Sequence, residues 1–400
     1  MSSELPQELV DQVIDHLWDD FVSLAACSLT CHAWLPSSRT HLFRHVDLDS
    51  PSACFRFQQL LKTSPKIAPF VRKVRVRSYS LSQKPPALGY EEIMWESHVP
   101  RLLSRLPRLT DLNISSLNWG TLHLTAVHGG AFLSRLGSVK RLTLADVHFE
   151  TSAQVRSMLA AASNLEELYF DRVYWNNSSA CVPLNAPVCQ MPRICTSLLQ
   201  SPFVPTSRDT GGRRLQELML RSGSPSDLVI DWLLGTGEVR LRKLHVSWRD
   251  RRNAKALCAL LIASGPHLKH LHMELTNGVA GLMQNEMQLG LLTSLRYVHF
   301  DGLILSDCGD WITTMVAQLT SPYLNQMEIS LLARWTDDLC MLDWNKLDAA
   351  LSRGCFVGVV VTLNVNLAIY RANKEEDARM IVELGLPEFQ KLGTLLVKCS

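Results

Sequence analysis

The amino-acid sequence predicts an α/β chain: a short module of three helices, then a long curved solenoid with a parallel sheet inside and helices outside. Two observations carry this expectation. An apolar-x-x-apolar-x-apolar motif recurs from Val71 onward, with helical patterns between its copies. Before it, apolar residues fall at three- and four-residue spacing, the period of amphipathic helices. A chain of 400 residues is also longer than one ordinary core accommodates, which fits a repeat array.

The module spans residues 1–48. Leu9, Val10, Val13, Ile14 and Leu17 form one stripe of a first helix, Pro6 suits its first turn, and Glu8 complements its positive end. Asp19 and Asp20 interrupt the stripe. A second helix is expected to carry Leu24, Cys27 and Cys31 on one side, with Ala25, Ala26 and Leu29 in close contacts. Pro36 opens a third, carrying Leu42 and Phe43. Three helices this short cannot hide Leu5, Leu9, Ile14, Leu17 and Trp34 against one another, so a partner helix bundle is expected to cover the remainder.

These residues also resemble a family. Leu5-Pro6-x-Glu8-Leu9, then Val13-Ile14-x-x-Leu17, then Ser28-Leu29-x-Cys31-x-x-Trp34 is similar to the F-box consensus, and the run from Leu24 to Arg44 resembles F-box proteins of mushroom-forming fungi. The resemblance implies docking on a Skp-type adaptor and, through it, on a cullin–RING ubiquitin ligase, with Leu5, Pro6, Leu9, Ile14, Leu17, Leu29 and Trp34 at or under the adaptor interface. The stretch Trp18–Val22 is about two residues longer than the usual F-box spacing, and Trp18 replaces a small or acidic residue. The other reading is a helical hairpin that caps a binding scaffold with no ligase role.

Residues 49–70 read as a connecting helix, and 71–400 as the solenoid. The motif copies are Val71/Val74/Val76, Leu109/Leu112/Ile114, Val139/Leu142/Leu144, Leu165/Leu168/Phe170, Leu215/Leu218/Leu220, Leu241/Leu244/Val246, Leu268/Leu271/Met273, Leu295/Val298/Phe300 and Leu324/Met327/Ile329. Weaker copies follow at Phe356/Val359/Val361 and Leu392/Leu395/Val397. Their best-kept spacing, 26 to 27 residues, is that of leucine-rich repeats. Helical patterns cover 154–162, 227–234, 254–263, 311–319 and 342–351. Few of the asparagines that usually follow such strands are present. Two stretches break the period: 78–100, expected as a loop and a short helix, and the Pro-rich insert near 173–212.

In this motif the leucines point into the core, so the alternating residues face the inner surface. Between the last two apolar positions stand Tyr169, His245, His272 and His299 in four of the copies, the three histidines one 27-residue repeat apart. They are expected to stack as a ladder, with His270 and Tyr297 beside it. The plain reading is a polar, solvated face. The sharper one is a surface for a protein target whose identity the sequence does not give, with capture of an acidic partner strengthening as pH falls towards 6.

Composition excludes other classes. A net charge of +2 does not advertise nucleic acid, although Arg72, Lys73, Arg75 and Arg77 cluster, as do Arg249, Arg251, Arg252 and Lys255. The acidic N-terminus lacks the pattern of a signal peptide, and the apolar run 356–361 falls short of a membrane span, so the chain is expected in the cytoplasm or nucleus. The 11 cysteines form no C-x-x-C, so free, buried thiols are expected. Cys181, Cys189 and Cys195 lack a close pair or nearby histidine for a metal, and no metal ligand or cofactor is assigned. No G-x-S-x-G, P-loop or H-E-x-x-H occurs, and Gly235-Thr236-Gly237 reads as a helix C-cap, so no catalytic residue and no enzyme is expected.

Overall fold

The computed structural model describes residues 6–78, 98–119, 126–175, 214–221, 226–235, 237, 239–248, 254–275, 286–305, 311–367 and 374–399. Three helices, α1 (Gln7–His16), α2 (Phe21–Thr30) and α3 (Leu35–Leu42), precede a single sheet. That sheet has twelve strands, all parallel, each lying beside its predecessor in sequence. They are β1 (His45–Leu48), β2 (Lys73–Arg77), β3 (Asp111–Ser115), β4 (Arg141–Phe149), β5 (Glu167–Trp175) and β6 (Glu217–Leu220). β7 (Lys243–Trp248), β8 (His270–Leu275), β9 (Tyr297–Ile304), β10 (Gln326–Ala333), β11 (Val360–Leu367) and β12 (Thr394–Cys399) complete it.

Every copy of the motif supplies one of the strands β2 to β12, and the reason is steric and hydrophobic together. Alternate residues of a strand share a face, so the last two apolar positions of each copy enter the core while the residue between them stays on the opposite face. From Val74 through Val361 these pairs are all within 2 % of fully buried. The final copy differs: Leu392 is exposed and Leu395 and Val397 only partly covered, at the strand β12 that forms one edge of the sheet.

The units are locked by one repeated contact. The carbonyl of Arg44 accepts both the Arg72 and Lys73 N–H groups, at 3.0 and 2.9 Å, just before β2 begins. The same doubly accepting carbonyl returns at Arg72, Thr110, Lys140, Glu166, Gln216, Arg242, Lys269 and Arg296. Side chains reach back one unit as well: Asn164 Nδ2 donates to Gly137 O (2.6 Å), Ser294 Oγ to Pro266 O (2.7 Å) and Thr320 Oγ1 to Gly290 O (3.0 Å). These polar side chains satisfy turn carbonyls of the preceding unit.

Several expectations need correction. The sheet begins with β1, one strand before Val71, and segment 49–70 does more than connect: its helix α4 (Pro51–Thr63), capped by Ser50, places Cys54, Phe57 and Leu61 in the main core. The insert after Trp175 lies outside the described residues to 213, with its three cysteines, yet β5 pairs directly with β6, Glu167 opposite Glu217. Of 78–100, residues 79–97 lie outside the description, and a short helix, Val99–Leu103, follows. The helices Ala126–Leu136 and Lys374–Gly385 carry no expectation from the sequence. Of the described cysteines, all free, only Cys54 and Cys258 are buried, whereas Cys31 and Cys340 are exposed. Burial raises both buried thiols to a pKa of about 11, which makes them poor nucleophiles.

Phe300 lies on β9 in the middle of this core and is fully buried. Phe300→Ala should cost about 3–5 kcal/mol of unfolding free energy, since it removes a large side chain from a site closed by strands on both sides; denaturant titration followed by circular dichroism measures it.

Candidate functional site

Two surfaces carry the residues singled out from the sequence. The first belongs to α1, α2 and α3, whose own core is only Val10, Ile14 and Leu24, with Leu17, Cys27, Trp34 and Leu42 packed around it. Asp20 ends the turn after α1 and caps α2, accepting from the Val22 and Ser23 N–H groups at 3.1 and 3.0 Å. The lengthened Trp18–Val22 stretch is therefore an ordered turn, closed also by Asp20 N–H donating to Leu17 O at 2.9 Å. Polar contacts tie α1 to α3: His41 Nε2 lies 2.7 Å from Asp15 Oδ1, and Ser37 donates to Asp11.

The expected adaptor residues separate into two groups. Ile14 is fully buried and Leu17 and Trp34 are half-buried, so they hold the module together. Leu9 is 47 % exposed and Leu29 87 %, and Pro6 is exposed at the start of α1. Leu5 lies outside the described residues. Leu29 does not fill a close contact, and Ala25 and Ala26 are exposed with it, because Leu24 alone of α2 points fully into the small core. Val13, Trp18, Phe21 and Val22 are likewise exposed and were not among the expected contacts. Val13 follows Leu9 by one helical turn, a spacing visible in the sequence.

The second surface is the face of the sheet turned away from the apolar core. Strand register places Tyr169, Met219, His245, His272, His299 and Glu328 opposite one another in succession. The His245 and His272 rings stack with centroids 3.8 Å apart and planes 18° apart; His272 and His299 follow at 4.2 Å and 39°. The neighbouring row holds His270 and Tyr297, whose rings are 6.0 Å apart. Further along that row an ionic chain crosses three strands: the Arg141 guanidinium donates to Asp111 Oδ1 and Glu167 Oε1, each at 2.7 Å. Tyr169 Oη lies 3.1 Å from Glu167 Oε2 and 3.0 Å from Glu217 Oε2, so its one proton is shared between carboxylates. Of the two basic clusters, Arg75 lies 3.8 Å from Asp47, Arg72 donates to Arg108 O, and Arg249, Arg251 and Arg252 are outside the described residues.

The electrostatics of the ladder differ from expectation. Burial, with the adjacent His272 ring and Arg221 adding to it, lowers the His245 pKa to about 4, and burial also pushes His270 and His299 below their ordinary value. His245 therefore stays neutral at pH 6, and burial works against charging His270 and His299, so the expected strengthening of acidic-partner capture as pH falls towards 6 loses support at these rings. The cleft at the ladder, of 350 Å³, is lined besides His245 and His272 by Asp171, Glu274 and Asp301 against Arg172 and Arg221. Spacing places the histidines, whereas the lowered pKa values of His245, His270 and His299 come mainly from desolvation, which no sequence pattern reports.

The Arg141 guanidinium holds the Glu167 carboxyl below its ordinary pKa of 4.5. A carboxyl lowered in the folded state adds stability above its unfolded pKa and loses it as pH falls through the folded one. The stability deficit of Arg141→Met should therefore be constant from neutral pH to about 5.5 and shrink below about 4.5; urea titrations across that range check it.

No protein-family model matches this chain, and no curated protein matches it either.

Proposed function

We propose that the chain is the substrate-recognition subunit of an SCF-type cullin–RING ubiquitin ligase. In this reading α1 and α2 dock a Skp-type adaptor as an F-box does, and the inner face of a curved, leucine-rich-repeat-like solenoid holds a protein target. The observation that supports it most is the apolar surface on the module: Leu9, Val13, Phe21, Val22 and Leu29 are between 45 % and 87 % exposed. Isolated exposed leucines are common, but five apolar side chains on two short helices mark an interaction surface. Withdrawing each from water offers roughly 1–2 kcal/mol before the entropic cost of association is met.

The chain performs no chemistry itself in this account. Holding a target and an adaptor on one body raises the local concentration of target lysines near the ligase, which replaces a bimolecular encounter by an intramolecular one. The cytoplasm and nucleus are where this reading places it. No described helix is long and apolar enough to cross a membrane.

Purified chain immobilised on beads should retain purified Skp-type adaptor. Leu9→Ala combined with Leu29→Ala should reduce retention about tenfold or more, while the melting temperature stays within error because both side chains are exposed. Replacing Leu5 and Pro6 by alanine should act in the same direction. If the unmodified chain retains no adaptor, the ligase reading fails and a binding scaffold without ligase role takes its place.

A further inference from the structure

Among the described residues, one buried ring nitrogen on this face of the sheet has no partner at hydrogen-bond distance, and its surroundings say what would satisfy it. His272 Nε2 is inaccessible to water and lies 3.6 Å from Asp301 Oδ2. That is too long for a hydrogen bond. It is close to the ~3.3 Å that separates two ligand atoms held about 2.0–2.1 Å from a tetrahedral zinc ion. His299, one strand over, completes a set: one atom each from His272, His299 and Asp301 all lie within 4.8 Å of one another.

The carboxylate is aimed rather than free. Asp301 Oδ1 accepts the Gly302 N–H at 2.7 Å, which leaves Oδ2 directed at His272. Gly302 adopts φ +79°, and a Cβ there would sit 3.1 Å from the Leu275 carbonyl oxygen, so this turn of the backbone depends on glycine. His299 Nε2 meets Ser330 Oγ at 2.7 Å, and His245 stacks on His272, so both rings are oriented from outside the triad. Fixing ligands through such outer contacts is the usual construction of a metal site.

We propose that His272, His299 and Asp301 bind one divalent transition-metal ion of the zinc class, with an open position for water or a donor from a bound protein. Two imidazoles and one carboxylate suit zinc and its neighbours, whereas magnesium and calcium take oxygen ligands. Three carboxylates in the cleft against two guanidinium groups also favour a cation there. This inference does not depend on the ligase reading, since it concerns the chain alone.

Full-length chain treated with a chelator and then dialysed is titrated with ZnCl2 by calorimetry, and with Co2+ followed by visible absorption. One ion per chain is expected, with a dissociation constant of about 10 µM or tighter and the d–d absorption of a four- or five-coordinate site. Asp301→Asn and His272→Gln should each weaken binding about tenfold or more, and His270→Ala, on the same face outside the triad, should leave it unchanged. Thermal melting guards against misfolded variants: the melting temperature of the unmodified chain should rise with Zn2+ and not with Mg2+. Absence of that rise, affinity weaker than about 100 µM, or binding that survives both triad substitutions overturns the proposal. A failed adaptor pull-down leaves it standing.

Discussion

The architecture depends on one backbone carbonyl per unit that accepts two consecutive N–H groups from the next. Repeated from Arg44 to Arg296, this contact fixes where each strand begins relative to its neighbour. A parallel strand displaced by one residue would turn its whole apolar set to the opposite face. With register fixed, the apolar rows coincide and each unit covers leucines its neighbour cannot hide. The same register aligns the residues between them, which is why His245, His272 and His299 meet ring to ring and why Arg141 spans Asp111 and Glu167.

Much of this was legible in the sequence because the repeat converts spacing into distance. A 27-residue interval between identical motif positions is one strand step, so three histidines at that interval had to become neighbours. Two features were not legible. β1, in the sequence His45-Val46-Asp47-Leu48, has only two apolar residues, too few to separate from a loop. The helix Ala126–Leu136 contains Gly129 and Gly130, which on propensity argue against a helix, and tertiary packing of Phe132 and Leu136 overrides them. Local pattern loses where neighbours supply the stabilisation.

At the sites the limit is of a different kind. Sequence identified which residues of the N-terminal helices are apolar but not which of them the small core of Val10, Ile14 and Leu24 would consume. Ile14 and Leu29 look alike on a helical stripe, yet one is fully buried and the other almost fully solvated. On the inner face, the polarity of the histidines was evident and their charge state was not. Desolvation shifts it, lowering the His245 pKa to about 4 and pushing His270 and His299 below their ordinary value. Repeated backbone contacts thus align the rows of the sheet, while three helices with a minimal core leave apolar side chains exposed.

The central claim, that this apolar surface is an adaptor-docking site, is tested most directly by hydrogen exchange. Amide exchange of the intact chain is measured by mass spectrometry with and without purified Skp-type adaptor. The account predicts slowed exchange confined to residues 7–30, which carry the exposed Leu9, Val13, Phe21, Val22 and Leu29, with the strands β2 to β12 unchanged. Unchanged exchange throughout, or protection on the sheet in place of the helices, would contradict it.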